Sequence, residues 1–305
     1  MSVRRRGCAA VLASAALALS LASCGASSRA GAAPALSVVA STDVYGDIVQ
    51  QVAGRLAGGR VAVTSIIDDP AADPHSYEAN TRTQLAISHA DLIVENGGGY
   101  DDFVDTMRRA AGTAATVINV VQLSGKRAPT GGTLNEHVWY DFPTVAKLVE
   151  RVVTVLSEKD STDAATFRAN AAAFTKKLRS LEGVEAAIKA QDTGAGVAIT
   201  EPVPLYLLEA CGLVNRSPAQ FSRAIEDGTD VAPRVLRQTL ALFSGRQVRL
   251  LAYNEQTSSP VTEKVLSAAK ADHIPVVPVT ETLPAHTDYL AWMGKNLDAV
   301  RSALG

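Results

Sequence analysis

The sequence predicts an α/β protein of two lobes, each with a parallel β-sheet flanked by helices, joined by one long linking helix. Short runs rich in β-branched residues alternate with amphipathic helical patterns over residues 36–121, and this alternation resumes over residues 196–303. Such alternation is typical of parallel sheets covered by helices on both faces. Between the two regions, a helical pattern without proline extends from Ser161 to about Ala190. At a rise of 1.5 Å per residue this helix would span roughly 45 Å, which is longer than a single small lobe requires.

The first lobe shows strand and helix signals in succession. Continuous β-branched runs indicate strands, and apolar residues at three- and four-residue steps indicate helices. Gly58 and Gly59 provide a stop for the first helix. The predicted elements are, in order, strand Leu36–Ala40, helix Val44–Leu56, strand Val61–Ile67, helix Thr81–His89, strand Asp91–Val94, helix Phe103–Ala111 and strand Thr116–Val121.

The alternation then breaks, because two helical patterns follow each other, Phe142–Leu156 and the long one from Ser161. The long pattern carries apolar residues at helical spacing, and Gly183 is its weak point. The second lobe has predicted strands Gly196–Thr200, Leu250–Tyr253 and Pro275–Val279, and predicted helices Pro204–Cys211, Pro233–Phe243, Val261–Ala271 and Tyr289–Ala303.

The first residues have the pattern of an export signal. Arg4, Arg5 and Arg6 precede an apolar run, Cys8–Ala22, that is too short for a stable bilayer-spanning anchor. The run ends in Leu-Ala-Ser-Cys24, which resembles the bacterial lipobox and implies that Cys24 becomes the lipidated first residue of the mature chain. The alternative is an ordinary secreted protein that is cleaved a few residues later. The general and the twin-arginine export routes both stay open.

These signals predict the division of the chain and its location. A diacylglyceryl thioether and an amide-linked acyl chain on Cys24 would give stable anchoring to the outer face of the cytoplasmic membrane, or to its periplasmic side. We expect a signal peptide at 1–23, the lipidated cysteine and a flexible tether rich in Gly, Ala and Ser at 24–35, an N-terminal lobe at 36–158, the linking helix at 159–191 and a C-terminal lobe at 192–305.

The composition argues against a disulfide framework and against nucleic-acid binding. Of the three cysteines, Cys8 leaves with the signal and Cys24 takes the lipid, so Cys211 remains as a buried structural thiol. A site with several thiolates is therefore excluded. Removing the three signal arginines leaves 26 of 29 basic residues against 31 acidic ones, a net charge of −5, and no Lys/Arg cluster.

Four candidate metal ligands lie in loops or directly after predicted strands. His75 and His137 belong to the first half of the chain, and Glu201 and Glu281 to the second. Since ligands of α/β sheets bind beyond the carboxyl ends of the strands, a cleft between the lobes would bring the four together. Imidazole nitrogen suits zinc, copper, iron and nickel, carboxylate oxygen also suits manganese, and two carboxylates neutralise a dication. The other three histidines, His89, His273 and His286, receive no ligand role.

Several motifs around these residues resemble one family. The sequence Asp73-Pro-His-Ser-Tyr-Glu78 resembles the D-P-H-x-Y-E motif of the metal-specific solute-binding proteins of ABC importers, the zinc/manganese cluster. The sequence Asn135-Glu-His-Val-Trp-Tyr-Asp141 resembles the D-P-H-V-W-L-D motif of the same family. Further resemblances follow in family order at Asn96-Gly-Gly-Gly-Tyr100, Ile199-Thr-Glu-Pro202, Tyr253-Asn-Glu-Gln-Thr-Ser-Ser-Pro-Val261, Val279-Thr-Glu-Thr-Leu-Pro284 and Tyr289-Leu-Ala-Trp-Met293.

The resemblance implies a binding protein that captures one divalent metal ion, Zn²⁺ or Mn²⁺, and delivers it to a membrane permease subunit of an ABC importer. It places the ligands on His75, His137, Glu201 and Glu281, and it implies two lobes joined by a long helix. Glu136 stands where the family has proline, and Glu281 where it has aspartate. We expect a monomer that needs no organic cofactor and has no enzymatic activity.

Two other functions stay open at this stage. A metal-dependent hydrolase would need a metal-bound water and a general base, for which Glu136 or Asp141 would be the candidates. Neither an H-E-x-x-H nor a G-x-S-x-G signature occurs in the sequence, which argues against it. A surface adhesin is the other alternative, since some relatives of the family were described as such.

Overall fold

The computed structural model describes residues 36–70, 74 and 77–305, and within them it contains two four-stranded sheets whose strand pairs are all parallel. The first sheet has the order β2-β1-β3-β4 and the second the order β6-β5-β7-β8. The strands are β1 (Leu36–Thr42), β2 (Val61–Ile67), β3 (Leu92–Glu95), β4 (Thr116–Asn119), β5 (Gly196–Ile199), β6 (Val214–Asn215), β7 (Leu250–Asn254) and β8 (Val276–Val279). Two parallel sheets flanked by helices confirm the predicted two-lobed α/β fold.

Three helices of the first lobe begin at side chains that accept hydrogen bonds from N–H groups of the first helical turn. Asn80 caps α2, Asn119 caps α4 and Asp141 caps α5. These helices are α1 (Asp43–Ala53), α2 (Thr81–Ser88), α3 (Asp102–Ala111), α4 (Val120–Ser124) and α5 (Phe142–Lys159), with 3₁₀ turns at Gly54–Leu56 and Val138–Tyr140.

The long helix α6 (Ala164–Asp192) follows and has 29 residues. It buries Phe167, Phe174 and Leu178 in the main hydrophobic core, to which residues of both sheets contribute. The helix begins three residues later than predicted, because the Asp160 carboxylate accepts the N–H groups of Thr162 and Asp163 and holds these residues in a turn.

Five helices complete the second lobe. The cap of α10 is reciprocal, since Ser259 and Thr262 each accept a backbone N–H of the other. These helices are α7 (Leu205–Ala210), α8 (Ala219–Glu226), α9 (Pro233–Ser244), α10 (Pro260–Ala271) and α11 (Tyr289–Leu304).

Other stretches also differ from the sequence-based expectation. The strand predicted to reach Val121 ends at Asn119, because the Asn119 side chain accepts the N–H of Gln122 and starts α4. The short strand β6 and the helix α8 were not predicted. Helix α8 buries Phe221 and Ile225 on one face, but eight residues give too few turns for a clear helical period.

Side chains of the first lobe bind the backbone of the segment that follows β8. The Tyr140 hydroxyl donates to the Thr280 carbonyl at 2.8 Å, and the Asp43 carboxylate accepts the Leu283 N–H at 3.1 and 3.2 Å. Loops at the carboxyl ends of the two sheets therefore meet.

Nothing in the structure tests the predicted boundaries at 158/159 and 191/192, and the predicted signal peptide and tether lie outside the described residues. Among the residues that are described, none of the helices is both long and apolar enough to cross a membrane.

Candidate functional site

His137 is the centre of the site and is completely buried. Its Nδ1 lies 2.7 Å from Asn135 Oδ1, and the Asn135 Nδ2 donates to the Pro202 carbonyl at 3.0 Å. Because the amide nitrogen is engaged as a donor, the amide oxygen accepts and Nδ1 carries the proton. In the neutral ring, Nε2 therefore presents its lone pair, as a metal-ligating imidazole does.

The Asn-Gly-Gly-Gly motif supports the segment that carries this histidine. The buried Asn96 side chain donates to the Glu136 carbonyl at 3.1 Å, and the Asp101 carboxylate accepts the N–H groups of Asn96 and Gly97. Gly97 has a φ of 76°, and a Cβ there would lie 2.2 Å from the Asn119 side chain. The glycine lets the chain turn tightly after β3, next to His137.

Glu281 approaches His137 from the second lobe. Its Oε2 lies 3.5 Å from His137 Nε2, and the residue is 1% exposed. Asn254, at the end of β7, donates to the other carboxylate oxygen at 3.0 Å. The Gln256 side chain accepts the Glu281 N–H and donates to the Thr282 hydroxyl. Residues at and just after the end of β7 therefore hold Glu281, Asn254 through its carboxylate and Gln256 through its backbone N–H.

Glu201 lies two residues beyond β5 and is buried. Burial, and next the nearby Glu281 carboxylate, raise the pKa of Glu201 to about 7, while His137 acts in the opposite direction. Its Oε2 has no hydrogen-bond partner among the described residues. A buried carboxylate oxygen without a donor is costly, so this oxygen suits a cation.

Glu226, which the sequence analysis did not single out, also reaches the site. It is the last residue of α8, and its Oε1 lies 3.8 Å from His137 Nε2. One ligand atom each of Glu136, His137 and Glu226 lies within 4.8 Å of the other two. No local signal indicates Glu226, because the eight residues of α8 give too few turns for a clear helical period.

The surrounding carboxylates make this position attractive to positive charge. Burial alone would lower the pKa of His137, but the carboxylates of Glu281, Glu136 and Glu226 raise it above its ordinary value. Glu281 acts through a hydrogen bond as well as through its charge. An imidazole nitrogen among several carboxylates is a donor set that binds a divalent transition metal.

Glu281 affects the pKa of His137, and both residues affect the pKa of Glu201. The structure thus brings three of the four predicted ligands, His137, Glu201 and Glu281, into one electrostatic group. The fourth, His75, lies outside the described residues, as does the predicted lipidation site Cys24. His89, to which no ligand role was assigned, is exposed directly after α2 rather than inside it.

A cavity of about 790 Å³ opens beside this group. It is lined from both halves of the chain, and Glu136 and Glu226 belong both to its wall and to the group around His137. Further lining residues are Gly98, Asn135, Pro202 and Tyr206. The cavity therefore reaches two of the carboxylates around His137, those of Glu136 and Glu226.

Comparison with known proteins agrees with the predicted fold. The chain is 28% identical over 139 residues to the iron-binding protein YfeA of Yersinia pestis, which covers 44% of each chain. It is 29% identical over 147 residues to the manganese-binding lipoprotein MntA of Halalkalibacterium halodurans, which covers 48% of this chain and 47% of that protein. The matches thus span about half the length of these relatives.

A solved structure resembles the fold over a longer stretch. The Mn-bound periplasmic metal binding protein from Candidatus Liberibacter asiaticus superposes with a TM-score of 0.70 at 19% identity, covering 88% of this chain and 99% of that one. Residues 38–303 match the family described as "Zinc-uptake complex component A periplasmic". Because this match extends over nearly all the described residues, the chain belongs to that family of zinc-uptake components.

Proposed function

We propose that this protein is the solute-binding component of an ABC importer, which captures one divalent transition-metal ion between its lobes and delivers it to a membrane permease. The observation that carries the proposal is the buried group around His137 Nε2. Glu281 Oε2 lies 3.5 Å from this nitrogen, and Glu201 contributes a further buried carboxylate. Family membership and the names of the relatives agree with this function.

The proposed ligands of the cargo ion are His75, His137, Glu201 and Glu281. Two imidazoles and two carboxylates balance the charge of a dication and provide four to six donor atoms. The carboxylates suit Mn²⁺, whereas the general order of affinities favours Zn²⁺. The family name points to zinc, while one relative is named for iron and another for manganese, so we propose Zn²⁺ or Mn²⁺ as the cargo.

We also propose how the protein is placed in the cell. The lipobox-like sequence at Cys24 would anchor the mature chain by its lipid on the outer face of the cytoplasmic membrane or its periplasmic side, and the relative MntA bears the name lipoprotein. The tether at 24–35 would give the domain freedom to meet its permease. The lobes at 36–158 and 192–305, joined by the helix at 159–191, would act as a monomer.

The proposal includes no catalytic activity. A hydrolase needs a metal-bound water next to a general base, whereas the carboxylates described here surround the imidazole nitrogen as further metal donors. Family membership also favours transport over hydrolysis. No contact among the described residues favours the adhesin alternative.

The test is elemental analysis of protein purified without added metal, followed by competitive titration of the metal-free protein with Zn²⁺ and Mn²⁺. We expect one equivalent to bind and to raise the melting temperature, with no turnover of ester or phosphoester substrates. His137→Gln should abolish tight binding, because it removes the nitrogen at the centre of the group. His89→Gln, at an exposed histidine, is the matched control and should bind like the wild type. Wild-type protein that binds no metal would refute the proposal.

A further inference from the structure

We propose that Glu226 is an additional ligand of the transported cation and that it binds the ion from the cavity side of the site. The inference rests on the proposed function, to which it adds a residue that none of the family-like motifs contains. It concerns helix α8, which the sequence alone did not reveal.

Distances to a shared nitrogen support this assignment. Glu226 Oε1 lies 3.8 Å from His137 Nε2, and Glu281 Oε2 lies 3.5 Å from the same atom. Donor atoms about 2.0–2.2 Å from one tetrahedral ion lie about 3.3–3.6 Å from each other. Glu226 therefore stands almost as close to ligand spacing as Glu281 does, and a small shift of its side chain completes the contact.

The electrostatic surroundings of Glu226 favour a cation there. Glu226 is the final residue of α8, where the helix dipole presents its negative end and disfavours a carboxylate. The same imidazole also feels the charges of Glu281 and Glu136. Buried Glu201 Oε2, which lacks a hydrogen-bond partner among the described residues, belongs to this electrostatic group as well. Carboxylates gathered around one imidazole ring repel each other, and a dication between them offsets that repulsion.

Solvent access distinguishes Glu226 from the other ligands. The His137 and Glu281 side chains are 0% and 1% exposed, whereas the Glu226 side chain is 14% exposed and lines the cavity. An ion that arrives through the cavity therefore meets this carboxylate before it meets the buried ones. A third carboxylate also shifts the donor set toward oxygen, which benefits Mn²⁺ more than Zn²⁺.

The test compares Glu226→Gln with Asp227→Asn in the full mature chain, by competitive titration with Mn²⁺ and with Zn²⁺. Asp227 is the next residue, lines the same cavity and is exposed, so Asp227→Asn removes the same charge without removing a ligand. We expect Glu226→Gln to weaken Mn²⁺ binding at least about tenfold and Zn²⁺ binding less, on the scale seen when groups around a metal are removed. Asp227→Asn should stay within about twofold of the wild type. The melting temperatures of the metal-free variants check that both fold.

Two results would overturn the inference. One is a Glu226→Gln protein that binds Mn²⁺ like the wild type or like Asp227→Asn. The other is anomalous diffraction from Mn²⁺-loaded protein that shows the ion bonded to His137 but not to a Glu226 oxygen. Wild-type protein that binds neither ion would instead refute the proposed function itself, so the two failures are distinguishable.

Discussion

Glu185 in the C-terminal third of the long helix α6 gives a prediction that does not depend on the metal. The residue is 6% exposed, and its Oε1 has no hydrogen-bond partner among the described residues. Burial, followed by the charges of Glu182 and Asp141, raises the pKa of Glu185 to about 8. The Cys211 thiol and the Tyr289 hydroxyl also lie within its electrostatic reach. Every ionisable group named here is acidic, so the charged form of Glu185 is disfavoured.

The sign and size of the effect follow from linkage. Because the pKa in the folded state lies above the unfolded value, the native protein holds this proton more tightly, and stability falls as pH rises from about 4.5 to about 8. A pKa that rises over that interval corresponds to a free-energy difference of roughly 5 kcal/mol between the charged and the protonated form of Glu185. Solvent screening reduces this difference, so we expect the free energy of unfolding to change by about 2 kcal/mol.

The substitution Glu185→Gln replaces the carboxyl group by a neutral amide of nearly equal shape. We expect the variant to match the wild type in free energy of unfolding near pH 5 and to exceed it by about 2 kcal/mol near pH 9. Urea unfolding of both proteins in the presence of a chelator measures this difference, since other titrating groups cancel between them. Glu158→Gln, at an exposed residue of α5, is the control and should show no change. A difference in free energy of unfolding between Glu185→Gln and the wild type that is the same at both pH values would contradict the assigned pKa shift of Glu185.

Three further predictions concern residues in and around the site. Asp43→Ala removes the acceptor of the Leu283 N–H, so it should lower the free energy of unfolding by about 1–3 kcal/mol and weaken metal binding. A free energy from urea unfolding and a metal affinity from titration that both equal those of the wild type would contradict this. Burial raises the pKa of Cys211 to about 12, so its thiol should react with Ellman's reagent only after unfolding, in a protein that begins after the lipidation cysteine. Rapid labelling of the native protein would contradict this. The Trp139 ring lies 5.1 Å from the His137 ring, so metal should change the tryptophan fluorescence of the wild type and of Trp292→Phe but not of Trp139→Phe. A Trp139→Phe protein whose fluorescence still changes with metal as in the wild type would contradict this.

Most elements of the fold could be predicted because their signals are local. The strand Val61–Ile67 has the predicted bounds, and α6 follows the predicted period through Gly183. A side chain that caps or turns the chain decides where an element ends, which explains the shorter strand at Asn119 and the later start of α6 after Asp160. Such competition between side chain and backbone is only partly visible in a hydrophobic pattern.

Local patterns are enough to predict the two α/β halves, the long helix between them and the family-like motifs around His137, Glu201 and Glu281, because each depends on neighbours along the chain. Long-range packing is needed to place an atom of His137 3.5 Å from an atom of Glu281, 144 positions away by residue number. It alone brought Glu226 to the same nitrogen, since the position of α8 depends on buried contacts of Phe221 with the second core rather than on a local pattern. Which side chains share a site is set by long-range packing, and a linear sequence does not contain those distances.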